Sequence, residues 1–138
     1  MTIAGSIVRE QLVKILASKH FARTTRLRRL LRFIVEQTLA GRTSELKEYS
    51  IAIAVFDKSD TFDPRLDAIV RVQAREMRSR LDAYYRDEGS RDEVIIRCSV
   101  GTYVPSFEQR IDEGHAQTMF WNARIDALQS LLVKKART

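Results

Sequence analysis

Five apolar residues, Val70, Ala74, Met77, Leu81 and Tyr84, recur at spacings of four, three, four and three, with mostly polar side chains between them. A stripe of that period runs along one side of an α-helix, and such a helix must bury the stripe against other elements. Rotation by about 100° per residue turns Arg71, Val72, Arg75 and Ser79 to the far side. The chain is therefore expected to fold around this segment while displaying arginine outward. Asp67 stands where it can cap the helix, and Gly89 with its acidic neighbours can end it.

The other elements follow from the same reading. Val8, Leu12, Ile15 and Leu16 predict a short helix capped by Ser6 and ending near Lys19, with Phe21 packing after it. Leu27, Leu30, Leu31, Ile34, Val35, Thr38 and Leu39 predict a second helix, capped by Thr24 or Thr25 and stopped at Gly41. Its arginines at 28, 29 and 32 should point away from the core. A third helix is expected behind Ser44 with Leu46, Tyr49, Ile53 and Phe56 on one face, although Ile51, Ile53 and Val55 also alternate as a strand would. Residues 57–64 are polar and contain a proline, so they separate elements. From Val94 the period changes to two: Val94, Ile96 and Cys98 alternate, then Thr102, Tyr103, Val104 and Phe107 follow, which predicts two strands joined around Ser99, Val100 and Gly101. A lone hairpin is marginal in water, so its inner face should pack on the helices. Beyond Gly114, Trp121, Ile125, Leu128 and Leu132 predict a last helix with Lys134, Lys135 and Arg137 at its end.

A chain of 138 residues supplies one core of ordinary size. Its longest apolar run, residues 51–56, is far shorter than the roughly 20 residues that span a bilayer. Met1 to Arg9 lack a basic flank followed by a long apolar run, so no secretion leader is expected. The single cysteine, Cys98, offers no internal disulfide, and a soluble cytoplasmic, nucleoid-associated domain is the expectation. The net charge of +6 is unevenly distributed. Residues 23–32 hold five arginines and no acid, and residues 71–80 hold four arginines against Glu76. Arginine makes forked bonds to phosphate oxygens and guanine edges that lysine cannot match.

A long arginine-faced helix followed at once by a hairpin predicts an α+β, mostly α, winged helix-turn-helix. The hairpin is its wing, an extra helix precedes it and another follows. Residues 1–110 form the expected DNA-binding domain, with a recognition helix at about 68–86 and a wing at about 94–107. Residues 111–138 form an amphipathic helix expected to pair two copies through Trp121, Ile125, Leu128 and Leu132.

The segments Asp67 to Leu81 and Val100-Gly101-Thr102-Tyr103-Val104-Pro105 resemble the winged-helix domain of OmpR/PhoB-type transcriptional regulators. The chain is more similar still to a bacterial winged-helix family found in front of TPR, TolB-like or cyclase-type modules. That likeness rests on Leu39-Ala40-Gly41, Leu46-Lys47-Glu48-Tyr49, Val55-Phe56, Phe62-Asp63-Pro64, Ile69-Val70-Arg71-Val72, Tyr84-Tyr85 and Gly101-Thr102-Tyr103-Val104-Pro105, in order over residues 8–108. The resemblance implies that Arg71, Val72, Arg75 and Glu76 lie nearest the base edges, with Gln73, Arg78 and Ser79 reaching bases or backbone. It implies phosphate contacts from Arg28, Arg29, Arg65, Arg97 and Thr102. The chain departs from the family at Val100, where a lysine is usual. It also opens on a helix where OmpR/PhoB domains open on a small sheet.

Competing chemistry is poorly supported. His20 and His115 lack cysteines or paired carboxylates at ligand spacing, so no metal is expected. Glu36 with Glu48, or Asp60 with Asp63, are more simply solvated or capping acids than acid/base pairs. Cys98 reads as a small core residue in a strand, and Tyr84 as core beside Tyr85. Arg80 can pair with Glu76 one turn away. No catalysis and no cofactor are expected. The partners expected are double-stranded DNA, a second copy, and RNA polymerase or another regulator, with no membrane. The alternative is a winged-helix module that binds another protein.

Overall fold

A computed structural model gives the fold for residues 3–110. Among the described residues the chain is α+β and mostly helical, with four helices and one two-stranded antiparallel sheet. The order is α1 (Gly5–Ala17), α2 (Thr25–Leu39), a 3-10 turn (Thr43–Glu45), α3 (Glu48–Phe56), α4 (Ile69–Arg86), β1 (Val94–Arg97) and β2 (Ser106–Gln109). The helix expected beyond Gly114, with Trp121, Ile125, Leu128 and Leu132, lies outside the described residues. No described helix is long and apolar enough to cross a membrane.

In α1 the spaced residues Val8, Leu12, Ile15 and Leu16 are all buried. Its start differs from expectation: Ala4, in extended backbone, takes the N-cap position, and Ser6 sits inside the first turn. The far end is set at Ala17, where the Ser18 hydroxyl donates to the Ile15 carbonyl at 2.6 Å. In α2 the residues Leu27, Leu30, Leu31, Ile34 and Val35 are buried. Thr24 holds the N-cap position, but its hydroxyl donates backward to the Phe21 carbonyl at 2.8 Å and caps nothing. Gly41, at φ 75°, provides the left-handed exit.

The expected face of α3 is wrong. Ile51, Ala52 and Val55 are buried there, while Tyr49 and Ile53 are exposed and Phe56 is half-buried. Residues 51–56 are apolar all round, so periodicity carries no phase, and packing against α2 and α4 selects the inner side. Leu46 is buried, but it precedes the helix. In α4, by contrast, Val70, Ala74, Met77, Leu81 and Tyr84 are all buried, as their spacing predicts. Ala68 takes the N-cap position, yet Asp67 still accepts the Ile69 amide at 3.0 Å and so supplies the capping bond.

β1 pairs with β2 so that Val94 faces Gln109 and Ile96 faces Phe107. The second strand starts later than expected. Thr102, Tyr103 and Val104 belong to a loop over 98–105, and the strand begins at Ser106, just after Pro105, which has no amide to give a ladder. Cys98 is accordingly the first loop residue rather than a strand residue. The hairpin packs through Ile96 and Phe107 onto the helical core, with β1 against α1. α2 touches each of the other three helices and forms the centre of the domain.

Candidate functional site

The outward face of α4 and the 98–105 loop enclose a cleft of about 630 Å³. Arg71, Arg75, Arg78, Ser79 and Asp82 form one wall, at successive turns of a single helix face. Val100, Gly101, Thr102 and Tyr103 form the other. Gly101 turns the loop at φ 93°, a conformation glycine adopts without steric cost. Of the residues assigned to DNA, the fold thus brings Arg71, Arg75, Arg78, Ser79 and Thr102 to one cleft.

The three cleft arginines are not equivalent. Arg71 donates to the Pro64 carbonyl at 2.8 Å, and its Nε lies 3.4 Å from the Glu48 carboxylate. That second contact is an ion pair without hydrogen-bond geometry, since the same Glu48 oxygen is buried and lacks a hydrogen bond. Arg75 is exposed and has no partner among the described residues. Arg78 is half-buried, and its Nε is shut off from solvent without an acceptor. Tyr103 faces them from the other wall. Burial raises its phenol pKa and Glu48 adds to this, while Arg78 and Arg71 pull the other way.

The remaining α4 residues lie along the same exposed surface. Val72 is half exposed, Gln73 is half-buried, and Glu76 accepts from Arg80 Nε at 3.1 Å. Residues assigned to phosphate are mostly engaged within the protein. Arg29 pairs with Asp57 at 3.2 Å, Arg65 with Asp63 at 3.0 Å, and Arg97 with Glu108 at 3.3 Å. Thr102 Oγ1 accepts the Val104 amide at 3.1 Å. Arg28 is half-buried, with its Nε lacking an acceptor. Arg29 and Arg65 hold the carboxyls of Asp57 and Asp63 below the ordinary range. Exposed pairs of this kind are screened by water and contribute little, so a phosphate can exchange for the carboxylate.

The sequence alone places neither Asp82, Val100 and Tyr103 in the cleft nor Glu48 beside Arg71. Asp82 was within reach of the same helical count, one turn beyond Arg78. Glu48 and Tyr103 arrive from other elements, which no local pattern reveals. His20 lacks paired carboxylates at ligand spacing in the sequence, yet the fold brings Asp87 and Glu88 to it, with ligand-type atoms within 4.8 Å. Lys19 already occupies this cluster: its Nζ lies 2.7 Å from Asp87 and its amide donates to Glu88. Burial pushes the Cys98 thiol up to about 12, which leaves it protonated and unreactive at neutral pH. The chain matches no family model, no curated protein and no solved structure with which it was compared.

Proposed function

We propose that the domain binds double-stranded DNA as a winged helix-turn-helix and regulates transcription, without catalysis. In this reading α4 enters the major groove, whose width of roughly 12 Å matches a helix with its side chains. The 98–105 loop, as the tip of the wing, runs beside the neighbouring backbone. The observation that carries the reading is the pair Arg75 and Arg78: two guanidinium groups without partners, on the open face of an 18-residue helix, facing a glycine-turned loop. Arg71, Val72, Arg75, Glu76 and Ser79 are then the base-facing set. Arg28, Arg29, Arg65, Gln73, Arg78, Arg97 and Thr102 orient the duplex.

Pairing of two copies through Trp121, Ile125, Leu128 and Leu132 belongs to the same proposal, because a dimer reads two half-sites about one helical turn apart. Selection of bound fragments from random DNA, followed by salt titration on the selected duplex, tests the reading. About six phosphate contacts predict a log–log slope near −5. Failure to enrich any sequence, or binding that ignores salt, overturns it and favours a protein partner.

A further inference from the structure

A second hollow, of about 570 Å³, lies further along the same side of α4, between the helix and the hairpin, and shares Arg78, Asp82 and Val100 with the first cleft. Its floor is apolar, with Leu81 and Ile96 buried at the bottom. Tyr85 is fixed beside them: its hydroxyl donates to the Val94 carbonyl at 3.1 Å and accepts the Ile96 amide at 2.8 Å. The mouth is basic. Arg97 is engaged by Glu108, and Arg110 lies over the Tyr85 ring, 5.8 Å from its centroid. Arg78 and Arg86 retain free donors, and Asp82, one turn from each, forms an ion pair with neither among the described residues.

We propose that this hollow binds a small aromatic carboxylate, with the ring on Leu81, Tyr85 and Ile96 and the carboxylate on the fork of Arg78. The Nη donors of Arg78 have no acceptor among the described residues, and a carboxylate seated in the hollow can take them as a charge-assisted pair. The volume falls within the range of small-molecule sites, with an apolar floor beneath a rim of arginines. Arg86 adds attraction at the mouth. Arg78 also lines the DNA-facing cleft, so a ligand that holds it here withdraws a cation from the duplex, and ligand and DNA oppose one another. This coupling rests on the DNA-binding reading; the ligand site does not.

The test uses the full chain, with naphthoate as probe and naphthalene carboxamide as its neutral counterpart, in calorimetry without DNA. Saturable one-to-one binding of naphthoate is expected, with the amide and the Arg78→Ala variant each weaker by about tenfold. Methyl resonances of Leu81 and Ile96 should shift on binding. The exposed Arg86→Ala variant, expected to bind severalfold more weakly, serves should Arg78→Ala fail to fold. No saturable binding, equal binding of the amide, or shifts confined to other surfaces overturns the site. Naphthoate should also raise the Kd for the selected duplex. An unchanged Kd with the hollow filled overturns the coupling alone, whereas binding of naphthoate by a chain that holds no DNA overturns only the DNA reading.

Discussion

The two ends of α4 use the same residue types to opposite effect. Toward its C-terminus most polar groups, Asp82 and Arg86 excepted, are engaged by other residues of the domain. Arg80 donates to Glu76 and to the His20 carbonyl, Lys19 and His20 meet Asp87, and Tyr85 bridges into β1. Tyr84 donates to Asp92, which also accepts Gln11 Nε2 at 2.8 Å and Lys14 Nζ at 3.0 Å. Gly89 lies so close that a Cβ there would run into the Tyr84 ring. Within the first ten residues of α4, Arg75 and Arg78 line the cleft without acceptors among the described residues, Arg75 exposed and Arg78 half-buried. Charge alone does not separate a structural end from a binding end. Hydrogen-bonding capacity left over after folding does.

The comparison predicts that variants at the C-terminal end act on stability. Tyr84→Ala removes a side chain only 2% exposed and should lower unfolding free energy by about 3–5 kcal/mol in denaturant titration. A loss under 1 kcal/mol would show that this end is not a structural junction. Asp92→Ala comes next, at about 1–3 kcal/mol, because it strands the Tyr84 hydroxyl and the Gln11 amide. Asp92 also gives this end a pH dependence. Burial opposes its ionisation, but the hydrogen bonds from Gln11, Tyr84 and Lys14 outweigh burial and bring its pKa below the ordinary 3.8. A carboxyl depressed on folding stabilises the protein fully above its unfolded pKa, and that contribution is lost as pH falls through the folded value. Wild-type stability should therefore drop below about pH 4 more steeply than that of Asp92→Ala.

How much of this was legible in the sequence depends on whether one element decides alone. The stripe of α4 was readable to the residue because a single buried face imposes a single period. α3 was readable as a helix but not in orientation, since a segment apolar on all sides has no phase of its own. The hairpin was visible as a change of period, but not where it begins to pair: Thr102, Tyr103 and Val104 suit a strand, and only the register against β1 excludes them. The pairing of charges splits in the same way. Arg80 with Glu76 is one turn of one helix and was foreseen. Arg29 with Asp57 and Arg71 with Glu48 join separate elements, so a sequence shows both as free cations.

That split sharpens the expected behaviour within the basic cleft. Arg75→Ala breaks no contact in the free protein, so its stability should stay within about 0.5 kcal/mol of wild type. Its cost should fall on binding, at about 1–3 kcal/mol against the selected duplex, with relaxed preference at the base it reads. Competition with single-base variants of that duplex measures both effects.

Arg71→Ala should cost less in binding, under about 1 kcal/mol, for a physical reason the sequence could not supply. To reach a base, the Arg71 guanidinium must leave the Pro64 carbonyl and the Glu48 carboxylate, and those lost contacts offset the new ones. Removing Glu48's hold should enlarge that cost. Glu48→Gln frees Arg71 while keeping the side-chain shape, so the double variant Glu48→Gln with Arg71→Ala should lose more affinity relative to Glu48→Gln than Arg71→Ala loses relative to wild type. Equal losses in the two backgrounds would mean that the Glu48 contact does not restrain Arg71, and the distinction between engaged and free guanidinium groups would then not govern which residues read DNA.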